Sequence, residues 1–267
     1  MATSIAVASG KGGVGKTSMS VNLSLTFAQM NKRTTLLDAD FGMANAHILL
    51  GVKPDYFISD ALKGNVSIEQ TLCSGPAGLK FASGGSGLID MLNLDKKTRY
   101  QTIRLFDEIA NETDMLIVDV PAGASDSSLA FVSAADKVLI VLVGEPTSFL
   151  DAYSLIKAAH LDAGLSNFSV VVNMTQSEAQ AKAHFEKFNS IAQKFLDVNL
   201  DYVGHLPLST RIRQSIVSRK PIVTEAKDSR ENACFQRIAK NILNSPKNET
   251  SGIRFFDQQI VQSKRVG

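Results

Sequence analysis

The sequence predicts an α/β fold, a mostly parallel central sheet with helices on both faces. Three observations lead there. Short β-branched apolar runs alternate with longer stretches of helical periodicity. Runs such as Leu116-Ile117-Val118 and Val138-Leu139-Ile140-Val141-Leu142 are apolar without a break, as strands covered on both faces must be. A glycine-rich turn, with glycines at 10, 12, 13 and 15, stands between the first strand and the first helix.

Taken in order, residues 4–9 read as a strand, 16–30 as a helix and 34–37 as the second strand. Later strands are expected at 115–120, 137–143, 169–173 and 202–206, and helices at 96–112, 148–163, 177–195 and 230–243. Residues 51–95 are rich in glycine, serine and turn signals and are expected to form an excursion outside the core sheet. Residues 1–244 then make one domain, 245–252 a linker in which Pro246 ends the last helix, and 253–267 a tail helix. On a helical projection Ile253, Phe256 and Ile260 share a face while Phe255 and Val266 fall opposite. Two outcomes stay open for that tail, lying on a membrane surface or packing back on its own domain.

Composition narrows the function classes. The chain has 267 residues, 44% apolar and 20% charged, the balance of one large globular domain. A net charge of +2 gives no general attraction to anions, so no nucleic acid partner is expected directly. Cys73 and Cys234 stand far apart with no CxxC, which argues against a disulfide framework and against a cysteine-held cluster. No run approaches the ~20 apolar residues of a membrane span, and no signal-peptide pattern precedes the first strand. The expected location is cytoplasmic, at most peripheral at a membrane.

Gly10-Lys11-Gly12-Gly13-Val14-Gly15-Lys16-Thr17 matches G-x-x-x-x-G-K-[ST] between a strand and a helix, the context of a P-loop NTPase. Its glycines let successive N–H groups turn toward phosphate oxygens, and the helix N-terminus adds positive potential. Gly10, Lys11, Gly12, Gly13, Val14, Gly15, Lys16, Thr17 and Ser18 are the expected nucleotide-binding stretch. Lys16 is expected on the β- and γ-phosphates and Thr17 on Mg²⁺. Leu36-Leu37-Asp38-Ala39-Asp40 puts two carboxylates at the carboxyl end of the second strand, pointing the same way by strand alternation. Leu116-Ile117-Val118-Asp119 is an apolar strand ending in an acid, so Asp119 is expected to hold Mg²⁺, through water. Gly123, four residues on, is placed to bring its N–H to the γ-phosphate as a switch.

Lys11 refines the class. K-G-G-x-G-K-T resembles the deviant Walker A loop of the MinD/ParA ATPases, and the resemblance implies an ATP-bound homodimer in which Lys11 reaches the nucleotide of the other subunit. It also implies that Asp40 positions or activates the attacking water and that Asp38 lies nearer the magnesium. Val170-Val171-Val172-Asn173 resembles the strand that carries an adenine-contacting asparagine, and Gly204-His205-Leu206-Pro207 the loop beside the base.

LLDADFGMANAHILLG at 36–51 resembles the switch I stretch of MinD-like proteins, and three further patches are similar to the FlhG/FleN branch of flagellar number regulators. They are Ala82-Ser83-Gly84-Gly85-Ser86-Gly87, Phe195-Leu196-Asp197-Val198, and Glu145-Pro146-Thr147-Ser148 followed by Asp151-Ala152-Tyr153 and Ile156-Lys157. The resemblance implies a dimerising ATP switch with slow hydrolysis that restrains flagellar synthesis and sets flagellar number and placement. The implied partners are a flagellar transcription activator, a signal-recognition-type flagellar GTPase and basal-body C-ring components, with reversible binding at the inner membrane face or a cell pole. Two alternatives stay open. One is a partitioning or division-site ATPase, with Arg211, Arg213 and Arg219 touching DNA. The other is a biosynthetic ATP-dependent enzyme on the same fold, although no residue cluster supplies an acceptor pocket.

Overall fold

The computed structural model describes residues 2–41, 44–85, 95–249 and 252–257. β1 (Thr3–Ala8) runs between β5 (Met115–Asp119) and β6 (Lys137–Val143), parallel to both. β2 (Thr34–Asp38) lies beyond β5, with β4 (Lys80–Ser83) parallel to it and the two-residue β3 (Cys73–Ser74) antiparallel at that edge. β7 (Asn167–Thr175) and β8 (Asn199–Pro207) extend the other side, giving the order β3-β4-β2-β5-β1-β6-β7-β8. The excursion expected over 51–95 therefore contributes to the sheet. β4 was missed because Phe81-Ala82-Ser83 is too short to carry a strand period.

The helices are α1 (Lys16–Gln29), α2 (Ala46–Leu50), α3 (Ile58–Leu62), α4 (Ile68–Thr71), α5 (Lys96–Leu105), α6 (Asp126–Ala134), α7 (Pro146–Ala163), α8 (Glu178–Ala192), α9 (Thr210–Ser218), α10 (Ile222–Glu225) and α11 (Arg230–Asn244). Strand alternation divides them into two layers. Ile5 and Val7 pack with Leu23 and Phe27 of α1 and Phe235 and Ile238 of α11. Ala6 and Ala8 face the layer that holds Phe131 of α6, Ile156 of α7 and Phe188 of α8.

Local chemistry explains the differences from the sequence reading. The helix expected from 148 begins at Pro146, whose fixed φ suits a first helical turn. Ser148 lies inside it, its hydroxyl accepting from the Val143 amide at 3.2 Å. Helices α6 and α9 were not foreseen, and each opens on a serine cap. Ser125 accepts from Ser128 N, and Ser209 from the amides of Arg211 and Ile212. The helix expected over 96–112 stops at Leu105 and gives way to a 3₁₀ turn at Phe106–Ile109.

The amino ends of the strands are closed by the chain's last described residues. Buried Lys137 donates to the carbonyls of Ile242 (2.7 Å), Leu243 (2.9 Å) and Ser245 (2.5 Å), capping the C-terminus of α11. Asp136 accepts from Ser4 N (2.8 Å), Ser4 Oγ (3.1 Å) and Arg254 Nη2 (2.7 Å). Asn248 accepts from the amides of Ser166 and Asn167, so residues after α11 are tied to the domain and are not a bare linker. Residues 253–257 form a turn, not the start of the expected tail helix. Phe255 and Phe256 are both buried there, and Phe255 N donates to Ala134 O at 3.0 Å. The rest of that expected helix, 258–267, lies outside the described residues. Among the described residues no helix is long and apolar enough to cross a membrane.

Candidate functional site

The site lies at the carboxyl ends of β1, β2 and β5, where an open parallel sheet presents its ligand face. The loop leaving β1 enters α1 through Gly15, whose φ of 87° lies in the left-handed region. A side chain here would also strike Asn173, since an added Cβ would stand 2.4 Å from its Nδ2. This turn aims the first amides of α1 into the loop and brings Lys16 inward.

Lys16 is buried, and its Nζ lies 2.7 Å from Asp119 Oδ1 at the end of β5. Ser20, one turn along α1, donates to the same oxygen at 2.9 Å. Asp38 ends β2 directly beside Asp119 in the strand register. Its carboxylate accepts from Ala46 N at 3.0 Å and Asp40 N at 3.2 Å. Burial, followed by the charge of Asp119, pushes the Asp38 carboxyl up to about 7, against the lowering pull of those amides and of Lys16. One ammonium thus pairs with Asp119 beside a second buried carboxyl. Such a site favours an added cation, and Thr17, half-buried in the first turn of α1, adds a hydroxyl to the hard oxygen donors. The residues fit a nucleotide with magnesium. Loop amides and Lys16 would hold the phosphates, while Thr17, Asp38 and Asp119 would serve the metal. Bound magnesium would supply charge neutralisation at the transferring phosphoryl group.

Asp40 lies two residues past the end of β2, half-buried at the mouth of the site. Lys11 takes a different direction from Lys16. Its Nζ reaches outward to Glu145 Oε2 (2.7 Å) and Thr147 Oγ1 (3.1 Å) of its own chain, at the rim where α7 begins. Gly12 and Gly13 are exposed beside it, Val14 is buried, and Ser18 is half-buried with its carbonyl accepting from Asn22. A cleft of about 290 Å³ runs from residues 11–14 to Glu145, Met174 and His184.

Three expected positions sit differently. Asn173 Nδ2 donates to Val14 O at 2.7 Å and its Oδ1 accepts from Met174 N, so this amide braces the phosphate loop against β7. The 204–207 turn expected beside the base is part of β8, with Pro207 opposite Thr175 as its last residue. Gly123 gives its N–H to Ser9 O at 2.9 Å, tying the segment after Asp119 to the start of the phosphate loop. Sequence reasoning missed Ser20 and Glu145 as members of the site. Ser20 had a signal, since i and i+4 from Lys16 share a helix face. Glu145 stood out only within the family-like patch at 145–148, since only the sheet order brings β6 beside β1.

Comparison with known proteins agrees with this geometry. A family described as ParA, "NUBPL iron-transfer P-loop NTPase", matches residues 1–243. The antiactivator FleN of Pseudomonas aeruginosa is 37% identical over 98% of this chain and 95% of its own length. The flagellum site-determining protein YlxH of Helicobacter pylori is 29% identical over 81% of this chain and 73% of its own. Among solved structures, the chain in the MinC:MinD cell division protein complex of Aquifex aeolicus superposes with a TM-score of 0.76, at 27% identity, over 91% of this chain and 96% of that one. With a phosphate loop, two strand-end aspartates and these relatives, the chain belongs to the MinD/ParA superfamily of P-loop ATPases, in the FleN/FlhG branch.

Proposed function

We propose that this ATPase is a nucleotide-driven switch that restrains flagellar synthesis and sets flagellar number and placement. ATP with Mg²⁺ closes a homodimer, the dimer presents a partner-binding face, and slow hydrolysis resets it. Asp40 orients the attacking water, Lys16 and Thr17 serve the phosphates and magnesium of their own site, and Lys11 serves the neighbour's. The observation that carries this reading is the outward course of Lys11. It is a phosphate-loop lysine whose ammonium lies at the rim on Glu145 and Thr147, clear of the buried Lys16–Asp119 pair.

The relatives bear on the output. One is named an antiactivator, another a flagellum site-determining protein, and the solved MinD chain is titled in complex with MinC. A flagellar transcription activator is the first partner to test, then the signal-recognition-type GTPase and C-ring components. Peripheral attachment at the inner membrane face or a pole belongs to the same reading.

Lys11→Ala should still bind ATP·Mg²⁺ and fail to dimerise, because each charge-assisted hydrogen bond lost is worth about 1.5–3 kcal/mol. Asp40→Ala should dimerise and hydrolyse slowly. Mixing the two should restore hydrolysis in the one composite site that has intact Asp40 and receives Lys11 from the other chain. Sedimentation and ATPase assays decide it; a normal dimer from Lys11→Ala, or no rescue in the mixture, returns Lys11 to an ordinary loop lysine. Salt-sensitive, ATP-dependent binding to non-specific DNA would move the assignment to partitioning.

A further inference from the structure

Phe41 follows Asp40 directly and is buried. Its ring lies against Gly84, just past the end of β4. A Cβ added there would stand 2.6 Å from Cδ1 and 2.9 Å from Cε1, so this glycine leaves the space that the ring occupies. The ring also stacks on Phe131 of α6, with centroids 6.1 Å apart and planes at 21°. Neither support is an arbitrary piece of core. The amide of Gly84 donates to Asp38 O at 3.0 Å, so the glycine that receives the ring also fixes the backbone two residues before Asp40. Phe131 belongs to the helix that follows Asp119 and Gly123. It is backed in turn by Phe255, stacked at 6.5 Å, and Phe255 meets Phe106 edge-on at 5.8 Å. Asp40 itself lies beyond the ladder hydrogen bonds that hold β2.

We propose that Phe41 is a positioning residue for hydrolysis, and that Gly84 and Phe131 form the seat through which it sets the Asp40 carboxylate. The inference rests on the reading of Asp40 as the residue that orients the attacking water. A stacked ring has few alternative placements in a packed interior, and Asp40 shares its backbone. The seat also joins the two strand-end segments that carry the carboxylates, one through Gly84 and Asp38, the other through α6. It gives a role to Gly84, which the sequence singled out within residues 82–87.

The test is a set of variants assayed for single-turnover hydrolysis and for equilibrium binding of a non-hydrolysable ATP analogue with Mg²⁺. Phe41→Ala should slow hydrolysis roughly 10- to 100-fold while affinity stays within about threefold, since small misplacement of a reacting group costs rate before binding. Phe41→Leu, the milder change should the alanine variant fold poorly, should slow it less, and Gly84→Ala should slow it by crowding the ring. Adding Phe41→Ala to Asp40→Ala should cost nothing further, because the residue acts through Asp40. Native rates in both Phe41→Leu and Gly84→Ala would overturn the proposal. So would parallel loss of rate and affinity, or the same factor subtracted again without Asp40. If Asp40→Ala itself hydrolyses normally, the reading of Asp40 falls and this inference with it; if Asp40→Ala is slow and the Phe41 and Gly84 variants are normal, only the inference falls.

Discussion

Two buried lysines stand at opposite ends of the same sheet, and their surroundings differ in kind. Lys137, at the amino end of β6, is surrounded by three main-chain carbonyls from the end of α11. Lys16, at the carboxyl ends, has one carboxylate oxygen that it shares with Ser20, with a second buried carboxyl close by. Carbonyls fixed by a helix end cannot be exchanged, so Lys137 is a permanent cap. A lone carboxylate can be traded for phosphate oxygens, so Lys16 is held ready for a ligand. A buried charge thus reads as structural or functional from the nature of its partners, not from its burial.

The largest effect that would break this comparison concerns Lys16. Lys16→Ala should lower ATP affinity by roughly 100-fold or more, because the phosphate charge loses its direct partner. Unchanged ATP binding by calorimetry would remove Lys16 from the site. Lys137→Ala should show the inverse pattern. It leaves buried helix-end carbonyls unpaired, so stability should drop by about 3 kcal/mol while the ATP affinity of the folded fraction is retained. A drop in affinity without a drop in stability would reverse the two assignments.

Asp136→Asn should fall between these. It keeps acceptors for Ser4 and weakens the ties to Arg254 and Lys247, so a loss of about 1–2 kcal/mol is expected, together with faster proteolysis after residue 249. The smallest effect belongs to an exposed pair. The Arg33 guanidinium holds the Asp114 carboxyl down at about 2. A depressed carboxyl stabilises the fold above its ordinary value of 3.8 and loses that contribution as pH falls toward about 2. Asp114→Asn should therefore match the native protein near pH 2 and be marginally less stable at neutral pH, with the difference shrinking in salt. A large effect at neutral pH would show that exposure is a poor guide to weight in this molecule.

Much of the fold and the centre of the site could be read from residue order. Strands buried on both faces announce themselves as unbroken apolar runs, and Lys137–Val143 was bounded to the residue. The phosphate loop, Thr17, Asp38 and Asp119 converge because each lies at the carboxyl end of a parallel strand, where chain order already puts it. What escaped depends on pairing between distant segments. β4 is strand only because β2 lies beside it, and the Lys11–Glu145 contact exists only because β6 neighbours β1. The contact of Asn173 with Val14 likewise depends on the loop's three-dimensional course. Tail periodicity failed for a related reason. Phe255 and Phe256, adjacent in sequence, are both buried because a turn, not a helix, presents them.

The place of β1 carries a consequence for how the chain is made. It is first in chain order among the described strands and lies inside the sheet, yet Thr3 pairs with Met115 and Ile5 with Lys137. β2, the next strand synthesised, does not touch it and waits for β5 as well. The nascent chain must therefore carry β1, with Ile5 and Val7, unpaired until β5 has been made. That interval, with both strand edges open, is when a growing chain is most exposed to aggregation and most in need of a chaperone.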